Sequence, residues 1–452
     1  MSMRDDLDLR LTAWFDADAV AREPEHLLEH VLARTARTRR RPAWAIPERW
    51  IPVDTILTAT APRSRVPWRA VVVLALLLLS LVVGYVLYAG SHPRLPNLTG
   101  PAGNGQIVYI SDGTLYSARP NGSDARPLLP AVEVPGLPVF SRDGTRLAFL
   151  TYADPSSATS LASLHVAKAD GSQRVPIITG ARTLGFFSFS PDGTQIAFSR
   201  WIDDFDGQLD RIFIAPSDGS AGPVQIGTRD MSAFNPAFSP DGHWIAFQSD
   251  HCLTATTPQS ECVFALHVMR PDGTDVREVT RGVGTQFFGN GFENRTWGVE
   301  WSPDSARILV TRAETSNSVV TSGLYLVPLG GGTAVQIADG PGSEYGASWA
   351  PTGDRIAFLR RDEVGRRLAY VVNADGSGER LVATAVAGLT PQWSPDGRWL
   401  AVVAEIGGSE GQIRLIRLDG SAPDVVVRTV LIPTASETTP GIDAIAWQRI
   451  AP

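Results

Sequence analysis

Hydrophobic residues follow two different patterns along this chain. From Ala70 to Gly90, AVVVLALLLLSLVVGYVLYAG sets 21 residues in a row without a charge. As a helix it would cover roughly 30 Å, the thickness of a bilayer core, and it is apolar on every side. After residue 105 the pattern changes to short apolar runs, each stopped by a turn rich in Gly, Pro and Asp. The first pattern predicts one membrane-spanning helix, and the second predicts an all-β domain.

Flanking charge orients the span. Arg63, Arg65 and Arg69 precede it, with RTRRR (Arg37–Arg41) further back, and only Arg94 follows closely. The positive-inside rule puts the N-terminus in the cytoplasm and everything after residue 90 outside, in a single-pass plasma-membrane protein. Residues 1–69 form a short α-helical cytoplasmic segment. Leu7, Leu9, Leu11, Trp14 and Phe15 contribute to a first amphipathic helix. Pro24 opens a second, with Leu27, Leu28, Val31 and Leu32 on its apolar stripe. This segment is too short to bury much core, so it docks on a cytoplasmic partner, on the membrane surface or on itself. Residues 91–104 are a Pro- and Gly-rich linker, and 105–452 make the outer domain.

The outer domain repeats itself. FSPDGTQIAF (Phe189–Phe198) returns as FSPDGHWIAF (Phe238–Phe247) and WSPDGRWLAV (Trp393–Val402). The opening aromatic recurs at Phe140, Phe189, Phe238, Trp301, Trp349, Trp393 and Trp447, 44 to 63 residues apart. Periods of this size mark a propeller or a solenoid. In each copy an apolar strand runs into the aromatic, Ser-Pro-Asp-Gly reverses the chain, and a strand apolar on both faces returns. A second hairpin follows, turning at Asn121-Gly122, Asp218-Gly219, Asp272-Gly273, Asp375-Gly376 or Asp419-Gly420, with Gly330-Gly331-Gly332 in one copy. Four antiparallel strands per repeat are the unit of a propeller blade. Six complete units run from about 138 to 428. IVYI, TLYSA and ARPLL (Ile107–Leu129) supply three strands of another, and AIAWQ (Ala444–Gln448) supplies its missing first strand. The reading is therefore a seven-bladed β-propeller closed by both chain ends; six blades is the alternative if a fragment forms no strand.

These repeats resemble those of TolB-like propellers, the WD40-like family of bacterial exported proteins, over roughly residues 105–450. Arg142 in place of Pro, Ser305 in place of Gly and Thr352 in place of Asp depart from the motif. The resemblance implies the fold, and partners such as lipoproteins near peptidoglycan. It leaves the function open, because the family includes binding scaffolds, peptidase-associated propellers and lyases.

Strand alternation places both kinds of Asp-Gly turn on one face. The motif aspartates are then spread around a rim as turn residues. The long connections gather on the other face, the usual place for recognition. They are Tyr152–Ser163, Trp201–Asp210, Ser249–Cys262 and Arg281–Gly298. In the last, Phe287, Phe288, Phe292 and Trp297 lie among glycines. They suit a protein or glycan ligand, and equally a local packing role. Asp203, Asp204, Asp206 and Asp210 form an acidic stretch whose spacing fits no EF-hand, so it reads as solvated charge rather than a metal site. Cys252 and Cys262, the only cysteines, lie outside the membrane in one loop and are read as a disulfide.

Net charge is −7, which argues against nucleic acid as a partner. Catalytic patterns fail. GGSEG (Gly407–Gly411) has nucleophile-elbow spacing but lies between strands, and no histidine follows His267. No cofactor or metal motif is present, H-E-x-x-H included. The chain therefore reads as a non-enzymatic binding module, with a sensor or signalling role within reach. The alternatives are a transmembrane regulator of the anti-sigma type, an envelope scaffold, or an enzyme such as a propeller lyase. The layout resembles membrane anti-sigma regulators, although residues 1–69 lack the cysteine of many such domains.

Overall fold

The computed structural model describes residues 102–450, less 112, 130–133, 154–160, 183, 205–206, 228–230, 252–262, 282–298, 317–318, 339, 408–409, 422 and 432–444. The apolar segment Ala70–Gly90, the cytoplasmic segment and the linker to residue 101 lie outside the described residues. Among the described residues all regular elements are strands, and no helix is long and apolar enough to cross a membrane.

The strands come in sets of four. β1, β2 and β3 are Gly103–Ser111, Thr114–Ala118 and Arg126–Pro127. β4 to β7 are Val134–Phe140, Arg146–Tyr152, Ala162–Lys168 and Val175–Ala181. β8 to β11 are Leu184–Phe189, Gln195–Asp204, Gly207–Pro216 and Val224–Ile226. β12 to β15 are Ser232–Phe238, Ile245–His251, Val263–Met269 and Arg277–Arg281. β16 to β19 are Glu300–Trp301, Arg307–Ser316, Val319–Pro328 and Val335–Ala338. β20 to β23 are Ser343–Trp349, Arg355–Arg361, Arg367–Asn373 and Arg380–Thr384. β24 to β27 are Val386–Trp393, Trp399–Gly407, Glu410–Arg417 and Val425–Leu431, and β28 is Ile445–Ile450.

Within each set the strands pair antiparallel in sequence order. One parallel contact, Ser322 with Ser343, links the β16–β19 set to the β20–β23 set. The exception to sequence order is β28, which pairs with β1 in register Ile107 to Trp447 and heads a sheet in the order β28-β1-β2-β3. The two chain fragments thus complete one sheet, as their sequences predict.

Each sheet is buried on both faces, which is why its second strand carries no polar alternation. Ile107, Tyr109 and Trp447 of the closing sheet pack against Ala401, Val403 and Ile413 of the last set. Val108, Ile110 and Leu115 of the same sheet pack against Leu147, Phe149 and Ala167 of the next. Equivalent clusters join every remaining neighbouring pair, so the interfaces form a closed circuit.

The turns form a second circuit. Gly144 lies where a Cβ would meet the Arg449 carbonyl oxygen at 1.7 Å, and its φ is 70°, so only glycine fits. At the matching place Ser305 adopts φ 61° despite its side chain. Its Oγ accepts the amide hydrogen of Asp241 from the preceding turn at 3.0 Å, a contact that glycine could not make. At the seam the Gln448 side-chain amide donates to the Gly144 carbonyl at 2.7 Å. Asn104 Oδ1 there accepts the Asp396 amide at 3.1 Å.

One region departs from the sequence reading. Trp201–Asp210 was expected as an irregular loop. Instead β9 runs to Asp204 and β10 starts at Gly207, in unbroken antiparallel register. β17 and β18 extend in the same way, Ser316 pairing with Val319. In the first, Asp203, Asp204 and Gln208 break the apolar pattern by which a strand is read.

Candidate functional site

The repeated motif resolves into turn chemistry. Ser190 Oγ donates to Asp192 Oδ1 at 2.5 Å and accepts the Gln195 amide at 2.9 Å. Asp192 Oδ1 also accepts the Thr194 amide at 3.1 Å. The same bonds recur around Asp143, Asp241, Asp304 and Asp396. The second turns use the same device: Asp170 Oδ1 accepts the hydroxyl and amide of Ser172, and those bonds hold its carboxyl below the usual range. Both turns of a set share one face, since the Ala169 amide donates to the Thr145 carbonyl at 2.9 Å and Ser217 bonds Thr194 likewise at 2.8 Å. Each of these aspartates places Oδ1 on its own turn, so turn chemistry accounts for the repetition of the motif.

The innermost strands converge instead. The first strand of every set lines one cavity of about 590 Å³. It reaches into the motif turns, through Arg142, Pro240, Pro303 and Pro351. A bulge interrupts most of these strands, for instance between Phe234 and Ala237 and between Tyr345 and Ser348. At the first of these Asn235 takes φ 54° and donates to Gln248 Oε1 at 2.8 Å. Indole N–H groups tie neighbouring first strands together: Trp301 donates to the Ala237 carbonyl at 3.0 Å and Trp393 to that of Ser348 at 3.1 Å.

Phenylalanine, tryptophan and proline dominate the lining, and its charged members among the described residues are Arg142, Glu300 and Arg449. Burial pushes the Glu300 carboxyl up to about 7, although it keeps partial exposure to the cavity. Burial, reinforced by the nearby Arg449 charge, lowers Arg142 to about 10, while Asp241 acts in the opposite sense. Burial also lowers Arg449. Both guanidinium groups remain protonated at neutral pH.

The lining also holds buried N–H groups without a hydrogen-bond partner among the described residues. They are the indole nitrogens of Trp349 and Trp447, and Nε and Nη2 of Arg449.

A second buried charge cluster behaves differently. Arg360 on β21 donates through Nε to Glu344 Oε1 at 2.6 Å. Its Nη1 and Nη2 donate to the two Glu379 oxygens at 2.7 and 2.9 Å. Glu344 also accepts the Gly340 amide at 3.0 Å, and the Arg360 guanidinium lies 4.5 Å from the Tyr370 ring centroid. Burial opposes the charge on Arg360, yet its bonds to Glu379 and Glu344 outweigh it and raise its pKa. This group is a hydrogen-bonded network inside one sheet, in which Glu344 Oε2 is the one buried atom without a partner among the described residues.

Phe287, Phe288, Phe292 and Trp297 lie outside the described residues, as do Cys252 and Cys262. Of the acidic stretch, Asp203 and Asp204 lie on β9 and Asp210 on β10, while Asp206 is outside the described residues. His165 and His267 are buried, facing Phe149 and Phe247 across paired strands with ring centroids 5.6 and 5.4 Å apart. Both rings are part of the core packing of their sheets. Sequence reading noticed Arg142 only as a departure from the motif, and passed over Glu300 and Arg449. The one available signal was their offset from the repeated aromatic: Glu300 immediately precedes Trp301, and Arg449 lies two residues after Trp447.

No family model matches the chain. Among solved structures it is similar to TolB from Acinetobacter baumannii, with 15% identity, 77% of this chain and 81% of that chain covered, and a TM-score of 0.47. It is similar to a prolyl endopeptidase at 16% identity and a TM-score of 0.53, over 75% of this chain; it spans about half of that one, 51%. It is also similar to the β-propeller domain of the Trilobed protease from Pyrococcus furiosus, at 13% identity and a TM-score of 0.50, over 73% of this chain and 97% of that one. That domain is described as having an open velcro topology, whereas here β28 pairs with β1. The circuit of four-stranded sheets and the last of these likenesses agree: the described part of this chain has the β-propeller fold.

Proposed function

We infer that the chain is a single-pass plasma-membrane protein whose propeller, of the TolB-like kind, has seven blades and acts outside the cytoplasm as a non-enzymatic binding module. The observation that carries the binding role is the convergence of all first strands on one cavity of about 590 Å³ inside a closed ring. Concave, largely apolar sites of this size with few polar groups are binding sites rather than packing defects. The blade count rests on the seven sets of strands, the last completed by β28. The anchor and the orientation rest on the uncharged segment Ala70–Gly90 and the arginines before it. The long connections, with Phe287, Phe288, Phe292 and Trp297, supply a second surface for a protein or glycan partner.

Two measurements test this reading. Cysteine-accessibility labelling in intact cells is expected to modify a cysteine introduced at the exposed residue Val364 and to spare one introduced at residue 20. The reverse pattern would overturn the orientation. Photo-crosslinking from the propeller in intact cells is expected to trap a specific partner or ligand. Turnover of a peptide or polysaccharide substrate by the purified chain would instead establish an enzyme. A signalling relay of the anti-sigma type requires the full chain to retain a sigma factor through residues 1–69; failure to do so leaves the segment as an anchor.

A further inference from the structure

Within that binding role, and resting on it, we propose that the channel cavity takes a small organic cation, an ammonium group on an apolar body, with Glu300 as its counter-ion. Three observations carry this, and the first is that Glu300 is unpartnered among the described residues. It lines the cavity and makes no hydrogen bond or ion pair there. Both its carboxyl oxygens keep accessible surface, unlike the sealed indole nitrogen of Trp349. Val299 and Trp301, on either side, turn into the packing with Ala246 and Leu266, so strand alternation turns Glu300 away from it. Burial raises its carboxyl, and no neighbouring charge contributes.

The second observation is what the same position does elsewhere in the ring. Glu300 immediately precedes its repeated aromatic, and the residue before each of the other six aromatics is uncharged. Where that residue is serine it ties neighbouring first strands together. Ser188 Oγ accepts the Phe238 amide hydrogen at 3.0 Å, and Ser348 Oγ donates to the Pro391 carbonyl at 2.6 Å. Glu300 makes no such tie, so holding strands together does not account for it. A carboxylate withdrawn from water with nothing to pair it costs free energy that an incoming cation offsets.

The third is the space in front of it. The cavity, about 590 Å³, has room for a molecule, and Phe238, Trp301 and Trp349 are among its apolar walls. One carboxylate falls far short of the roughly six to eight oxygens that calcium takes, and no metal-ligating cluster occurs among the described residues. The cavity's two arginines do not reverse its preference. Arg142 and Arg449 stand two residues past their aromatics and Glu300 one before its own, which sets them roughly 10 Å further toward the motif turns. The Asp241 charge supports that of Arg142, and Nε and Nη2 of Arg449 are sealed within protein.

The test uses the full chain in lipid nanodiscs and isothermal titration calorimetry at about pH 8. That lies above the value of about 7 to which burial raises the Glu300 carboxyl, and a primary amine is still protonated there. 4-Phenylbutylamine is compared with the neutral 4-phenylbutan-1-ol, with 4-phenylbutyrate and with ammonium chloride. The amine is expected to bind, and the alcohol and the acid to bind about tenfold more weakly or worse. Glu300→Gln is expected to weaken the amine about tenfold and leave the alcohol unchanged, and Glu300→Asp to keep part of the amine's advantage. Ammonium binding as tight as the amine would overturn the role of the apolar body. Equal binding of amine and alcohol, tighter binding of the acid, no binding of any probe at about 10 mM, or a Glu300→Gln variant that binds as the parent does would each overturn the site. Far-UV circular dichroism of both variants excludes unfolding as the cause. A partner trapped on the long connections while the cavity takes no probe would leave the binding role standing and remove this site alone.

Discussion

Two groups of buried charge can be compared within one fold. Glu344, Arg360 and Glu379 lie inside one sheet and between strands, and all but one of their charged oxygens and nitrogens are engaged or exposed. Arg142, Glu300 and Arg449 border the channel, come from three different sets of strands, and include donors with no protein partner. Burial is common to both groups, but satisfaction is not. The difference teaches that buried charge alone says little. A nearly completed network locks a sheet, whereas the channel group leaves several donors without a protein partner.

The comparison can be broken most sharply at Arg360. Arg360→Met leaves Glu344, which is fully buried, without its counter-ion. It is expected to cost about 3–5 kcal/mol in denaturant unfolding. A loss below about 1 kcal/mol would show that the network is ornamental.

Glu300 should behave in the opposite way. Its carboxyl has an ordinary value of 4.5 and is raised to about 7 in the fold. The unfolded chain therefore gives up this proton first, and stability falls as pH rises from about 4.5 through about 7. Glu300→Gln removes that fall. Near pH 8 the variant is expected to be more stable than the parent by about 1–3 kcal/mol, and near pH 4 to match it. Parallel pH profiles for the two proteins would count against a desolvated carboxyl.

Glu379 tests the grading inside the network. It is the outer partner, with its side chain 31% exposed, and Arg360 keeps Glu344 without it. Glu379→Gln is expected to cost about 1 kcal/mol, well under the effect at Arg360. The smallest effect is predicted for Arg449→Gln, a stability change within about 0.5 kcal/mol, because no protein partner loses a bond to its Nε or Nη2. A loss comparable to that at Arg360 would make Arg449 a structural residue and erase the contrast.

Much of this fold could be read from the chain. The repeated aromatic located the innermost strands, Ser-Pro-Asp-Gly located the turns, and two short fragments with unmatched neighbours foretold the pairing of β28 with β1. Those features are local, or repeat often enough to expose one another. The channel site was not legible in the same way. Glu300 and Arg449 look like ordinary alternation at strand positions, and only closure of the ring turns them toward a common axis. A residue far along the chain, Arg449, lies near enough for its charge to act on Arg142. Pairwise patterns in sequence carry no record of which positions meet across a ring. The β9–β10 hairpin escaped for another reason: Asp203, Asp204 and Gln208 carry no apolar alternation, so the paired segment reads as a loop.

The seam between β1 and β28 has a consequence for biogenesis. In a chain made from its N-terminus, every other strand is available before Ile445–Ile450 emerges. Until then one side of β1 is an open template, with Ile107 and Tyr109 beside it, and its partner lies more than 300 residues away. Domains closed by their last strand gain their protection all at once and late. A nearly finished ring therefore stays open until that strand docks, and a truncation of a few residues at β28 should leave it exposed to proteolysis.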